Sequence, residues 1–310
     1  MIRRACWCGA RTARRIGRVP IPGEEVALDW IRCTGCGVYT YRQPPTDQIL
    51  ARAYAPEYYG ATRRKFTGPI AAAVEWFQDG RARMVAREIE PGTRVLDVGC
   101  GNGGFLARMA RRGFQVEGTE WTAQSAARVD PAAAGRIHVG DLLDLELPPA
   151  GFEAITLWHV FEHLPRPAES LARIRDLLVP GGVLFLALPN HESAQARRTG
   201  RHWFHLDPPR HLCGFGPRSL RQLAEPLGFT IQRQHTWSLE QNPYGDIQSA
   251  LNARGFPRDR AYGVLKGTVR TGRWADLARL ALLAPCGVLR SSLESIAGRG
   301  ATMTLVLRRS

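Results

Sequence analysis

Three titratable side chains stand close together immediately after an apolar stretch. His159, Glu162 and His163 follow the apolar segment 152–158 at relative spacings of three and four residues. In a helical turn these spacings would place all three side chains on one face. A histidine that titrates near neutral pH can remove a proton from a hydroxyl group or an acidic carbon. The group could instead bind a divalent cation, or Glu162 and His163 could brace the loop. We expect His159 to lie nearest the reacting atoms, with His163 as a further base.

Four cysteines near the N-terminus have a spacing typical of a metal site. Cys6 and Cys8 form one pair, Cys33 and Cys36 form a second, and each pair is followed by glycine. Two such pairs can bring four thiolates to one tetrahedral zinc ion, although the first pair has one intervening residue rather than the usual two. A closed four-thiolate site has no open coordination position, so we expect this zinc to be structural. Residues 1–45 are therefore predicted to be a zinc-ribbon-like segment.

A glycine-rich run marks a ligand-binding turn. The segment 94–98 contains Val95, Leu96 and Val98, typical of a buried strand, and Gly99, Gly101 and Gly103 follow at once. Glycine lets the backbone turn sharply and lets a ligand lie against it. A helix is predicted from residue 105. Strand, glycine turn and helix N-terminus together are the arrangement with which α/β sheets hold cofactors at the carboxyl ends of their strands.

Two acidic residues follow the next two predicted strands. Glu120 ends the strand 114–120, about 20 residues beyond the glycines, where doubly wound folds bind a ribose hydroxyl pair. Asp141 follows the strand that begins at Arg136. Further strands are predicted at 152–158, 183–188, 229–235 and 301–307, and helices at 69–89, 168–178 and 218–227. The pattern predicts an α/β fold.

The motifs V-L-D-x-G-C-G-x-G, from Val95, and H-V-x-E-H, from His159, give the chain a family resemblance. It resembles the class I S-adenosylmethionine (SAM)-dependent methyltransferases that act on small molecules. The resemblance implies a Rossmann-like seven-stranded sheet with helices on both faces and an antiparallel last strand. It also implies a SAM site formed by Asp97, Gly99, Cys100, Gly101, Gly103, Glu120, Trp121, Asp141, Leu142 and Trp158. Ubiquinone-type O-methyltransferases have a similar cation-binding E-x-x-E-H motif, in which His159 replaces the first carboxylate.

The resemblance also suggests where a substrate would bind. The segment 192–216 contains a D-x-P-R-H-L stretch similar to one in family members, so His205, Arg210 and His211 are predicted substrate contacts. Tyr58 and Tyr59 lie in a segment that covers the SAM pocket as a lid in related enzymes. We divide the chain into the zinc ribbon (1–45), a helical lid and linker (46–90), a SAM-binding core (91–236), a helical insertion (237–300) and the last strand (301–310).

The net charge of +14 comes almost entirely from arginine, with lysine only at Lys65 and Lys266. A basic surface can attract polyanions, but no block of like charges suggests nucleic acid as the partner. The segment 277–289, interrupted by Pro285, could touch a membrane or a lipid-linked substrate, form a dimer contact or pack on the sheet. The remaining cysteines, Cys100, Cys213 and Cys286, are expected to be buried.

The sequence thus predicts a cytoplasmic methyltransferase, monomeric or homodimeric, that uses SAM to methylate an oxygen or carbon of a small molecule or glycan. Two alternatives remain open at this point. An RNA methyltransferase would require a continuous basic groove leading to His159. A non-catalytic protein with the same fold would bind a partner through its zinc ribbon and would not need to bind SAM.

Overall fold

The computed structural model describes residues 6–55, 68–130, 136–257, 260–266, 269 and 271–310. The predicted lid residues Tyr58 and Tyr59 lie outside the described residues.

A seven-stranded sheet forms the centre of the molecule. Its strands are β4 (Arg94–Val98), β5 (Gln115–Glu120), β6 (Arg136–Val139), β7 (Phe152–Trp158), β8 (Leu178–Pro189), β10 (Phe229–His235) and β11 (Thr302–Arg309). Their order across the sheet is β10-β11-β8-β7-β4-β5-β6, and β11 pairs antiparallel with both of its neighbours. The strand order changes direction between β4 and β7, and doubly wound sheets bind their ligands at such a point. The predicted Rossmann-like α/β fold is confirmed.

Helices flank this sheet where the sequence breaks from strand to helical periodicity. The described helices are α1 (Asp47–Ala53), α2 (Gly68–Ala86), α3 (Gly104–Ala110), α4 (Ala123–Ala126), α5 (Pro167–Leu177), α6 (Ala194–Thr199), α7 (Pro217–Ala224), α8 (Asn242–Asn252), α9 (Arg260–Lys266) and α10 (Arg273–Ile296). The helix α5 begins with Pro167, whose missing N–H costs nothing in the first turn, and buries Leu171 and Ile174. Strand β8 has no polar side chain from Val183 to Leu188 and is buried there on both faces.

A second, smaller sheet joins the N-terminal segment to the loop after β8. It contains β1 (Ala13–Pro20), β2 (Ala27–Cys33), β3 (Tyr39–Tyr41) and the short β9 (Cys213–Gly214), in that order. Because Thr40 of β3 pairs with Cys213 of β9, a segment 173 residues downstream in the chain completes the ribbon sheet. The ribbon is therefore attached to the loop that carries Arg210 and His211, while the domain boundaries given above stay predictions.

The long helix α10 corrects two expectations. Pro285 does not interrupt it, and Cys286 is exposed rather than buried. The reason is tertiary: a Cβ at Gly287 would lie 2.8 Å from the Ile247 side chain, so the missing side chain lets α10 pack closely on α8. That packing holds the helix together past the proline. The opposite face exposes Leu282 (79%) and Ile296 (82%). No helix within the described ranges is long and apolar enough to cross a membrane.

Candidate functional site

The glycine turn, residues 99–103, joins β4 to α3 at the carboxyl edge of the sheet. Gly99, Gly101 and Gly103 have φ values of 69°, 64° and 74°, which L side chains rarely adopt. A Cβ at Gly99 would lie 2.7 Å from Val160, so this glycine is required by protein packing as well. A Cβ at Gly101 would meet nothing within 4 Å. The space over Gly101 is thus open, as a ligand lying flat on the backbone requires.

The two predicted acids have different surroundings. Glu120 lies at the end of β5, and its Oε1 accepts a hydrogen bond of 2.5 Å from the Gly101 amide. Asp141 accepts an ion-paired hydrogen bond of 2.9 Å from Arg166 and one of 3.0 Å from the Leu143 amide. Glu120 is therefore at the glycine turn itself, whereas Asp141 is held by its own loop and by Arg166, the residue that precedes α5.

The side chains next to these acids divide into exposed and buried ones. Trp121 follows Glu120 and is 57% exposed, so its ring is accessible to a ligand. Leu142 packs in the main hydrophobic core, and only its backbone can face the site. Cys100 is also buried, and its Sγ fills the space over Gly118. For Leu142 and Cys100 the predicted cofactor contact is thereby restricted to main-chain atoms.

Asp97 is a buried carboxyl group directly below the glycine turn. It is 3% exposed, and Thr156 on the neighbouring strand β7 donates a hydrogen bond of 2.5 Å to its Oδ1. Burial raises the pKa of Asp97 to about 7, although the Thr156 hydrogen bond and the positive charge of Arg81 act in the opposite direction. A cationic group of a ligand placed here would restore the carboxylate, since an opposite charge favours the ionised form.

Trp158 ends β7 beside the glycine turn. Its ring makes an edge contact with that of Phe105, the second residue of α3, at 5.8 Å, and the Arg81 guanidinium lies over the Trp158 ring at 5.2 Å. The Trp158 Nε1 is buried and has no hydrogen-bond partner among the residues that the structure describes. The sequence did not suggest Arg81, because one arginine on an amphipathic helix is unremarkable in an arginine-rich chain.

Glu162 is the centre of a cluster with His159, His163 and His211, called here the Glu162 cluster. Its carboxylate is 1% exposed, and the His159 Nδ1 lies 3.6 Å from its Oε1. Burial alone would raise the pKa of Glu162, but the three surrounding histidines, His159 first, lower it to about 2. Neither carboxylate oxygen has a hydrogen-bond partner in the described part of the chain. An ionised group in this position requires a proton on a neighbouring imidazole, or a cation, for compensation.

Backbone carbonyls hold the other two imidazoles of the cluster. The His211 Nδ1 lies 2.8 Å from the carbonyl oxygen of His205, and the His163 Nδ1 lies 3.1 Å from that of Arg210. A carbonyl can only accept, so the His211 Nδ1 carries the proton. The His163 Nδ1 also lies 2.9 Å from the Tyr54 hydroxyl, which can donate to it, so the carbonyl alone does not fix the tautomer of His163. The Nε2 of His211 lies 3.9 Å from Glu162. One ligand atom each from Glu162, His163 and His211 lies within 4.8 Å of the others, which is close enough to hold a metal ion.

The structure therefore groups His211, rather than His159, with the possible metal ligands. His159 follows β7 with a φ of 58°, and its side chain remains 23% exposed. The D-x-P-R-H-L stretch was the only sequence signal for His211, and it did not reveal the partner. That pairing depends on how the loop 203–212 folds back across the end of β7.

The predicted substrate residues of this loop have structural partners. His205 and His211 are 5% and 7% exposed, and burial lowers the pKa of His205 to about 3 and that of His211 to about 4. The Arg210 Nε donates to Asp207 at 2.9 Å and its Nη1 to the Ala53 carbonyl at 3.3 Å. Contact of these residues with a substrate stays a prediction, since their observed contacts support the Glu162 cluster and the end of α1.

The four N-terminal cysteines lie together as predicted. Their Sγ atoms are all within 4.8 Å of one another, with 3.5 Å between Cys6 and Cys36 and 3.6 Å between Cys8 and Cys33. A tetrahedral zinc site with Zn–S bonds of about 2.3 Å places its sulfurs about 3.8 Å apart. The separations and the donor set therefore fit a closed zinc site.

Comparisons with known proteins agree with this architecture. A family profile described as "Methyltransferase domain" matches residues 71–234, more than half of the chain. The chain is 37% identical over 121 residues to a ubiquinone biosynthesis O-methyltransferase of Xanthomonas axonopodis pv. citri, covering 37% of this chain and 51% of that protein. It is 32% identical over 140 residues to the protein of the same name from Idiomarina loihiensis, covering 42% and 54%.

Among solved structures, one of a putative sarcosine dimethylglycine methyltransferase from Galdieria sulphuraria superposes with a TM-score of 0.51. It covers 85% of this chain and 98% of that one at 14% identity, and so supports the fold alone. The chain spans about half the length of the curated relatives that it matches. The profile match, together with the seven-stranded sheet and its glycine turn, identifies the chain as a member of the methyltransferase-domain family, within the class I SAM-dependent methyltransferases.

Proposed function

We propose that this protein transfers the methyl group of SAM to a hydroxyl oxygen of a small molecule. The observation that carries the proposal is the open, side-chain-free turn at Gly101, with the Glu120 carboxylate at its amide and the buried Asp97 below it. Glu120 is suited to accept hydrogen bonds from a ribose, and Asp97 to pair with the cationic amino group of the methionine portion. Trp121, Trp158 and the turn at Asp141 and Leu142 would complete the binding site.

His159 is the proposed general base. A buried, ionised carboxylate 3.6 Å from Nδ1 favours the tautomer with its proton on Nδ1, and leaves the Nε2 lone pair for the acceptor. The same arrangement of carboxylate and imidazole orients the base in other enzymes. Glu162 thus acts on the imidazole and not directly on the acceptor, and a proton on the Nε2 of His163 or His211 would compensate its charge.

Bound SAM supplies an electrophilic methyl group, and the acceptor oxygen supplies the electron pair. The chain must hold both on one line, because positioning accounts for most of the rate enhancement in a displacement between two bound reactants. His159 would accept the hydroxyl proton at Nε2 as the oxygen–carbon bond forms and the carbon–sulfur bond breaks, which leaves S-adenosylhomocysteine as the second product. The loop 203–212 leads into β9, which pairs with the ribbon, and it brings His211 next to Glu162.

Oxygen is preferred to carbon as the acceptor atom because the two similar proteins named above are called O-methyltransferases. The acceptor is a small molecule with an acidic hydroxyl, either free or joined to a lipid or a glycan. The four-cysteine cluster holds one structural zinc ion that stabilises the ribbon. Its role is to keep β3, and through it β9 and the histidine loop, in place.

The proposal is tested with purified protein, labelled SAM and a panel of catechols, other phenols and sugar hydroxyls. We expect transfer of label to a phenolic or sugar oxygen, and we expect His159→Ala to retain binding of S-adenosylhomocysteine while turnover falls by two orders of magnitude or more, roughly the contribution of a general base. If the protein bound neither SAM nor S-adenosylhomocysteine in calorimetry, the proposed function would be wrong.

A further inference from the structure

A cleft of about 440 Å³ lies between the N-terminal ribbon and helix α7. Several of its walls are side chains of three ribbon strands and of the first turn of α7, namely Arg14 and Ile16 on β1, Arg32 on β2, Tyr39 on β3 and Arg218. Small-molecule sites in proteins occupy about 300–1,000 Å³. The cleft is therefore large enough for a small ligand, and three of its side chains are cations.

The three guanidinium groups of this cleft are only partly neutralised. None of the described residues that line it is acidic. Arg14 and Arg218 are exposed and have no carboxylate partner in the described part of the chain. Arg32 pairs with Glu192 at 2.5 Å, so one carboxylate faces three guanidinium groups and two positive charges remain. Like charges that share one cleft repel each other, which makes an anion the favourable occupant.

Arg32 is held in a fixed position at the wall of the cleft. Its Nε donates to the Gly37 carbonyl at 3.2 Å, and its guanidinium lies over the Tyr39 ring at 5.4 Å. A Cβ at Gly37 would lie 3.1 Å from the Arg32 Nη2, so the glycine leaves room for the guanidinium. The Arg32 Nη1 has no hydrogen-bond partner among the described residues. A donor that is already fixed loses little side-chain entropy when it binds a ligand.

Tyr39 adds a neutral donor to these cations. Burial raises the pKa of Tyr39, whereas the positive charges of Arg32 and Arg197 act in the opposite direction. The hydroxyl therefore keeps its proton at neutral pH and can donate a hydrogen bond. Arg197, on α6, is exposed and has no carboxylate partner among the residues that the structure describes. It brings a further positive charge to the Tyr39 side of the cleft.

The cleft is separate from the proposed SAM site, although it adjoins the loop that leaves β8. The Tyr39 ring lies 5.4 Å from that of His191, and Glu192, the partner of Arg32, is the next residue along this loop. None of the described lining residues belongs to the glycine turn, residues 99–103. An inference about the cleft therefore does not depend on the binding of SAM.

We propose that this cleft binds the phosphate or diphosphate group of a small phosphate ester. Arginine forks match phosphate oxygens in geometry, and a phosphate monoester carries a charge of about −1.5 to −2 at pH 7. That charge balances the two positive charges that remain beside the Arg32–Glu192 pair. A single compact cleft favours a small molecule over a nucleic acid, which binds along an extended basic groove.

Calorimetry at a salt concentration of about 0.15 M tests the cleft with inorganic pyrophosphate, uridine 5′-diphosphate and uridine. The variants Arg14→Gln and Arg218→Gln each remove one cation from the cleft. Arg18→Gln is the matched control, because Arg18 is also exposed on β1 and has no carboxylate partner in the described ranges, but does not line the cleft. At this salt concentration the Debye length is about 8 Å, so a charge that is merely nearby is largely screened.

We expect the wild-type protein to bind pyrophosphate and uridine 5′-diphosphate with similar affinity and not to bind uridine, because the phosphate groups make the contacts. Arg14→Gln and Arg218→Gln should each weaken the binding of both anions by about tenfold or more, as expected for the loss of one charge-assisted hydrogen bond. Arg18→Gln should bind both anions like the wild type. Saturating S-adenosylhomocysteine should displace neither of them.

Binding of pyrophosphate without uridine 5′-diphosphate would overturn the assignment to an ester, and so would the absence of binding by either. An equal loss in Arg18→Gln, or displacement by S-adenosylhomocysteine, would show that the anion does not occupy this cleft. Tighter binding of a single-stranded RNA, weakened in all three variants, would overturn the proposal in favour of a nucleic-acid surface. A protein that bound these anions in the cleft but not S-adenosylhomocysteine would support this inference and refute the proposed function.

Discussion

The most direct test of the cofactor site compares two glycines that differ only in their position. Gly101 and Gly113 have φ values of 64° and 85°, and a Cβ at either position would meet nothing within 4 Å. Each alanine substitution therefore adds the same strain, about 1–2 kcal/mol for a left-handed L residue, without a clash inside the protein. Gly113 connects α3 to β5 at the amino edge of the sheet, away from the proposed site.

We expect Gly101→Ala and Gly113→Ala to lose similar stability, each by about 1–2 kcal/mol, measured by denaturant unfolding. A methyl group at residue 101 would in addition stand where the cofactor approaches the backbone. S-adenosylhomocysteine binding should thus weaken by about tenfold or more in Gly101→Ala, equivalent to about 1.4 kcal/mol, and remain at the wild-type level in Gly113→Ala. If both variants bound the ligand like the wild type, the space over Gly101 would not be the cofactor site.

Three further predictions address the base, the buried histidines and the cysteines. Glu162→Gln should keep S-adenosylhomocysteine affinity but lower kcat and shift its pH profile, because the imidazole loses the carboxylate that orients it; an unchanged profile would contradict this role. Burial lowers the pKa of His191 to about 3, so the unfolded state, with a pKa of about 6.5, binds the proton preferentially between these values. The contribution of His191 to the free energy of unfolding is complete above pH 6.5 and falls by up to about 5 kcal/mol as the pH is lowered to 3. In His191→Leu, the free energy of unfolding measured with urea should therefore depend less on pH. The protein should contain one zinc per chain by atomic absorption and should lose it, with a lower Tm, in Cys36→Ser but not in Cys286→Ser; equal metal content in both variants would exclude the four-cysteine site.

Local sequence patterns predicted the central fold because each pattern depends on neighbouring residues. The run of Val95, Leu96 and Val98 predicted β4, and the following glycines predicted the turn that the structure shows with positive φ at Gly101. The placement of Glu120 at that turn follows from the parallel pairing of β4 with β5, which brings the carboxyl ends of adjacent strands together. Pro285 was misinterpreted for the opposite reason, since packing of Gly287 on Ile247 outweighs a local helix-breaking signal.

The sequence by itself determined the strand–turn–helix unit, the acidic residues Glu120 at the end of β5 and Asp141 after β6, and the four clustered cysteines. Only the tertiary structure decided which distant groups come into contact. His211 lies next to Glu162, β9 pairs with β3, and Arg81 donates a hydrogen bond to Glu240. The first set rests on backbone sterics and on the regular geometry of strands. The second depends on where long connections return to the sheet, which no local periodicity encodes.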